Sequence, residues 1–225
     1  DRRGSQEHPT DTLTWPEGNA FLARGLAEQL GPERYRTGSL VLRLQNQQDG
    51  VRIGYADLQS GTLHALQSRA LIYAGKLHTA PYVIAGLPEA QSRAMGGLEY
   101  SPWLVAAIQV SYRPQESSVP LAWDNVIFAS HSTGYIVADH QNPGAKPQDP
   151  SVLVYYLPFV DEIGKARREL LERKHGYWVD RIMRDLLSVH PDLEDLVERI
   201  DLYRWGHAMV RPTPGTLWGR ESQWR

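Results

Sequence analysis

Hydrophobic and polar positions change period three times along this chain. Trp15 precedes Pro16, which keeps position 15 out of the helical region. Asn19 follows as an N-cap. Leu22, Leu26 and Leu30 then recur every four residues, flanked by Ala23 and Ala27, which predicts an amphipathic helix ended by Gly31-Pro32. From residue 40 the pattern shortens. Leu40–Leu44 reads as a strand, Asp49-Gly50 as a hairpin turn and Val51–Tyr55 as the partner strand. Ser60-Gly61 turns the chain again into Leu63–Gln67. Ala70–Ala74 reads as a short apolar strand buried on both faces, completing a meander over residues 40–74.

Beyond Pro88 a short helical or irregular segment is expected to Gly97. Trp103–Tyr112 is a long run of β-formers, and Val126–Phe128, Tyr135–Ala138 and Val152–Leu157 read as three more strands. The loop 141–150, rich in Gly, Pro and Asn, reads as a flexible insertion. Asp161–His190 is helical, with Trp178, Ile182, Leu186 and Val189 on one face and a break at Gly176. His190-Pro191-Asp192 opens a third helix, with Pro and acids where a helix start favours them. Arg199–Trp205 returns as a strand. The expected fold class is α+β: a mixed β-sheet covered on one face by helices, plus a helix and β-meander. The expected organisation is a linker or disordered segment at 1–14, the helix and meander at 15–80, a second domain at 81–205 and an irregular tail at 206–225.

Composition narrows the function classes. The chain has 225 residues, of which 41% are hydrophobic and 22% charged, with a formal net charge of −2. Those values are average for a globular protein, and they argue against capture of nucleic acid or an anionic membrane by charge. No apolar run approaches the ~18 residues of a membrane-spanning helix. Cysteine is absent, which excludes disulfides, thiolate metal sites and thiol nucleophiles within these residues. The eight histidines form no His-x-x-x-His pair and no His-Glu-x-x-His. His131, Asp139 and His140 are the one His/carboxylate grouping, and they read as ordinary loop residues, so no metal site is assigned. Ser130-His131-Ser132 lacks the Gly-x-Ser-x-Gly frame of a serine hydrolase. The compartment stays open.

Three segments carry a resemblance. Thr14–Asn19 reads Thr-Trp-Pro-Glu-Gly-Asn, Leu121–Val126 reads Leu-Ala-Trp-Asp-Asn-Val, and Arg204–Gly215 reads Arg-Trp-Gly-His-Ala-Met-Val-Arg-Pro-Thr-Pro-Gly. With the order of helix and meander, they resemble the flavin-containing amine oxidase superfamily, in particular a bacterial branch of FAD-dependent oxidoreductases. The resemblance spans nearly the whole chain and implies an interior part of such an enzyme, without the Gly-x-Gly-x-x-Gly unit and the C-terminal flavin strand. It implies FAD as cofactor in the intact protein, a small-molecule substrate, and the remaining FAD-domain segments as partners. The isolated chain is then expected to be inactive.

The resemblance also implies roles. Val41 stands where a strand backbone holds the adenine of FAD, and Gly18 and Trp205 join it as cofactor contacts. His207 is a candidate proton donor or acceptor, and Arg211 a candidate to hold a carboxylate or flavin oxygen. An irregular loop packed by its own tryptophan, with Arg211 bonding carbonyls, accounts for the same residues. Tyr155, Tyr156 and Trp123 are substrate-binding candidates; strand alternation sends the two tyrosines to opposite faces, one toward the helices. Ala74-Gly75-Lys76 departs from the superfamily's Ala-x-Pro, and Trp103–Tyr112 holds no lysine. Those departures motivate an alternative, a non-catalytic binding or assembly module that keeps the scaffold without cofactor.

Overall fold

A computed structural model describes residues 15–115, 120–142, 144–215 and 218–219. The expected linker at 1–14 and the end of the expected tail lie outside them. In chain order the helices are α1 Asn19–Leu30, α2 Ala80–Val83, α3 Glu89–Gly96, α4 Ile163–Glu172, α5 His175–Leu187 and α6 Leu193–Leu196. The strands are β1 Ser39–Gln47, β2 Gly50–Asp57, β3 Leu63–Ser68, β4 Ile84–Ala85, β5 Glu99–Val110, β6 Asp124–Asn125, β7 Gly134–Val137, β8 Ser151–Pro158 and β9 Val197–Arg211. The chain divides into two compact units. The first takes in residues up to Gln29 together with Pro102–Ala208; the second takes in Leu30–Ser101 together with the residues from Met209.

The first unit is built on a mixed α+β plan. Its sheet runs in the order β6-β7-β8-β5-β9. Period-two alternation decides which side of it is core. Leu104, Ala106, Ile108 and Val110 of β5 are buried, and so are Leu153, Tyr155 and Leu157 of β8. The register pairs Leu104 with Leu157, Ala106 with Tyr155 and Ile108 with Leu153, so these side chains share one face. Leu170 of α4 and Trp178, Ile182 and Leu186 of α5 pack onto that face as one cluster. The four-residue spacing of the three α5 positions gives the helix a single apolar stripe. At roughly 1.5–3 kcal/mol for each large apolar side chain fully buried, this interface is the main source of cohesion in the unit.

Several turns depend on local chemistry. Gly134 opens β7 at φ +100°, and a Cβ there would lie 1.9 Å from the Asn125 carbonyl oxygen. Glycine alone fits that approach. The break between α4 and α5 falls at Arg173 and Lys174, and Gly176 sits in the first turn of α5 rather than between the helices. Asp124 and Asn125 form the strand expected a few residues later; Val126 and Phe128 are exposed beyond it. Helix α1 groups with this unit rather than with the meander. None of its residues is buried, and Phe21, Leu22, Leu26 and Leu30 are 41–62% exposed.

The second unit is a four-stranded sheet in the order β3-β2-β1-β4. The turn Asp49-Gly50 closes the β1–β2 hairpin in register Gln47 to Gly50, and Asp57 caps the next turn by accepting from the Gln59 and Ser60 amides at 2.9 and 2.8 Å. Those bonds, the Ser60 amide first, lower the Asp57 pKa. Leu44 and Tyr55 are the buried side chains of the meander.

Two expectations fail here. Residues 70–74 form no strand: no described strand pairs with them, and Ile72 is 93% exposed. The fourth strand is instead Ile84–Ala85, parallel to β1. At the other end the chain stays extended to Arg211, so residues 206–211 are strand rather than an irregular tail.

Candidate functional site

The side of the five-stranded sheet away from the helices is built by the residues that alternate with the core. On β5 these are Trp103, Val105 and Ala107; on β8, Val154 and Tyr156; on β7, Ile136. All are half-buried, unlike their fully buried neighbours. Trp103 and Tyr156 meet edge to face, with ring centroids 6.3 Å apart. Asp124 pairs with Ile136 across β6 and β7, and so stands on this face. Burial first, and then the Asp124 carboxylate, raise the Tyr156 pKa, which keeps its phenol protonated.

Strand β9 extends the same face. Ile200 and Leu202 pack on the core, the Gly206 carbonyl accepts from Arg167 Nε at 2.7 Å, and Arg204 donates to the Leu171 carbonyl of α4 at 2.8 Å. Even positions therefore turn to the helices. Alternation sends Tyr203, Trp205 and His207 to the other side, with Trp103 and Tyr156. Tyr203 and Trp205 are 50% and 53% exposed. This face brings together three of the candidates, Tyr156, Trp205 and His207. Trp103, Tyr203 and Asp124 belong to it too, and sequence reasoning did not single them out; strict alternation in β5 was the signal available.

Tyr155 turns the other way. It is 2% exposed, and its hydroxyl donates to Asp185 Oδ2 at 2.6 Å. Ser130 Oγ donates to the same oxygen at 2.5 Å and Ser132 Oγ at 3.3 Å. The Tyr155 pKa is pushed up to about 12, by burial above all and by Asp185. Tyr155 is thus a core residue that ties α5 to the 130–132 loop, and it does not share the face of Tyr156. Trp123 is separated as well. Its carbonyl accepts from the Val137 amide at 2.9 Å, and its ring is tilted against His140 at 5.5 Å. It borders a cavity of about 320 Å³ beside the Arg113–Asp139 ion pair. Gly18 lies in the turn before α1 at φ +58°, with the Gln141 amide as its nearest neighbour, 3.9 Å from where a Cβ would be.

Val41 and Arg211 lie in the second unit. Val41 pairs with Tyr55, and the register slips between Val41 and Arg43, leaving Leu42 as the extra residue of a bulge. Leu44 and Gln45 pair with β4 on the outer side, whereas residues 39–43 pair with no described strand there. The outer backbone edge beside Val41 is therefore open, and Val41 is 39% exposed. Ser39 Oγ, two residues away, is buried with no hydrogen-bond partner among the described residues. An open backbone edge fits a flat heteroaromatic group that both donates and accepts hydrogen bonds. Arg211 pairs with Glu99 at 3.3 Å. Among the described residues no group of three or more histidine, aspartate or glutamate side chains is placed to hold a metal, and no helix is long and apolar enough to cross a membrane.

Comparison with known proteins gives these geometries a context. No curated protein sequence matches. Among solved structures, the chain is similar to cyclohexylamine oxidase from Brevibacterium oxydans IH-35A, with 14% identity, a TM-score of 0.57, and coverage of 84% of this chain and 38% of that one. It is also similar to reduced UDP-galactopyranose mutase, with 12% identity, a TM-score of 0.59, and coverage of 88% of this chain and 40% of that one. These likenesses show a shared fold, and the chain spans about two fifths of the length of either structure. The sequence profile described as Flavin containing amine oxidoreductase matches residues 2–223. FAD is accordingly the cofactor of the intact protein. The chain belongs to the flavin-containing amine oxidoreductase family.

Proposed function

We propose that this chain is the substrate-binding portion of an FAD-dependent oxidoreductase that takes a hydride from a small organic substrate. The observation that carries the reading is the face of the five-stranded sheet turned away from α4 and α5. A sheet with one face packed under helices commonly leaves the other to water and lines it with polar side chains. Here that face carries Trp103, Val105, Ile136 and Tyr156, with Tyr203 and Trp205 on β9. Apolar and aromatic walls with a few polar groups are the usual lining of a small-molecule site. The relative named cyclohexylamine oxidase supports a compact amine with an apolar body as the substrate class.

Flavin, when bound, supplies the redox chemistry, accepting the hydride and passing electrons to oxygen or another acceptor. The chain's residues orient and exclude. Trp103 and Tyr156 form a wall against which an apolar ring packs. Their bulk keeps water from the reacting bond. Asp124, on the same face, attracts a cationic amine. His207, on the strand beside Trp205, gives or takes a proton at the substrate nitrogen. In the second unit, the backbone edge around Val41 would hold the adenine of FAD. Arg211 pairs with Glu99 at the end of β9.

The test uses the intact protein reconstituted with FAD. A yellow holoenzyme is expected, in which Tyr156→Ala raises KM for a cyclic amine at least tenfold while flavin binding is unchanged. A protein that stays colourless after reconstitution overturns the reading, and so does a Tyr156→Ala enzyme with unaltered KM.

A further inference from the structure

The meander has a second feature. On one face of its sheet, residues paired across the strands form two rows. Arg43, Gly54 and Ala65 stand opposite one another in the first, and Gln45, Arg52 and Gln67 in the second. Gly54 and Ala65 leave the first row low, and the missing bulk opens a groove of about 490 Å³, bordered by Leu63 at one end. That volume is within the range of small-molecule sites.

The charge around this groove is one-sided. Arg43 and Arg52 are diagonal neighbours on the same face, and no acidic residue lines the groove. Neither guanidinium has an ion pair or hydrogen bond with any described residue. Like charges placed this close on a sheet repel unless something neutralises them. A guanidinium presents a planar fork of donors that matches carboxylate or phosphate oxygens in pairs. Two such forks beside a shallow apolar floor suit a ligand with an anionic head and a flat hydrocarbon body.

We propose that this groove binds a small organic anion, with Arg43 and Arg52 gripping a carboxylate or phosphomonoester and the body lying over Gly54 and Ala65 against Leu63.

The experiment is calorimetric titration of the intact protein, reconstituted with FAD, with 2-naphthoate, 2-naphthyl phosphate and the neutral 2-naphthalenemethanol. At least one anion is expected to bind at least tenfold more tightly than the alcohol, and the tighter of the two identifies the head group. Arg43→Gln and Arg52→Gln, both at exposed positions, should each weaken that binding at least fivefold. Gly54→Val, which fills the floor, should weaken it with both arginines intact. Affinity should also fall as salt rises. Equal binding of alcohol and anions overturns the proposal, as does undiminished binding to an Arg43→Gln/Arg52→Gln double variant whose circular dichroism is unchanged.

Discussion

The Tyr155 hydroxyl and the Asp185 carboxylate meet at 2.6 Å, joining the middle of β8 to the last turns of α5. The same carboxylate oxygen accepts from Ser130 and Ser132. One acidic side chain therefore fixes the sheet, the helix and the 130–132 loop together. Asp185→Ala strands up to three hydroxyl donors and should cost about 1–3 kcal/mol in urea unfolding. Asp185→Asn keeps a carbonyl acceptor and should cost less. Equal losses for the two variants would show that the acceptor is not what matters.

Burial pushes the pKa of Tyr155 and of Tyr135 up to about 12 each. In the unfolded chain both ionise near 10. The folded state thus holds these protons more tightly, and its stability is full below pH 10 and declines as pH rises through about 10 to 12. Phenolate absorbance followed against pH should show Tyr135 and Tyr155 titrating late, with Tyr156 also shifted upward, and unfolding setting in over the same interval. Titration of all tyrosines near pH 10 in a folded protein would contradict this.

Gly134→Ala is expected to be among the most damaging conservative changes. It places a Cβ 1.9 Å from the Asn125 carbonyl oxygen at a φ of +100°. The β6–β7 connection must move, at a cost of about 2–4 kcal/mol. Thermal unfolding reads this directly, with Gly176→Ala, where an added Cβ meets nothing within 4 Å, as the control.

Val41 offers a test that separates backbone from side chain. Val41→Ala leaves the strand edge intact and should change FAD affinity of the intact protein less than threefold. Val41→Pro removes the amide donor and should reduce that affinity at least tenfold. If the alanine variant loses as much as the proline variant, the side chain and not the edge makes the contact.

Much of this architecture was legible before the structure. Alternation in residues 103–110 and 152–157 and the stripe Trp178, Ile182, Leu186 announce one sheet under one helix layer, because each pattern has a single period and a large buried face. Ala70–Ala74 has strand-like composition, yet a strand also needs a partner edge, which five residues of sequence do not reveal. Pro212, Pro214, Gly215 and Gly219 make residues 206–225 read as irregular, but the strand runs on to Arg211, with Arg167 Nε donating to the Gly206 carbonyl. The α1 stripe is a true helical face, although apolar periodicity says nothing of what covers it. Tyr155 and Tyr156 were sent to opposite faces by their adjacency alone. The Asp185 cluster was invisible, since its donors lie 30 to 55 residues away along the chain.

Strand β8 carries two messages in alternate letters. Ser151, Leu153, Tyr155 and Leu157 answer to the interior, while Val152, Val154 and Tyr156 answer to the opposite surface. Replacements walked along it one position at a time should therefore give a sawtooth: melting temperature drops at odd numbers and holds at even ones, and ligand recognition does the reverse. Insertion of a single residue would exchange the two messages at once, so this segment can drift in sequence far more readily than in length.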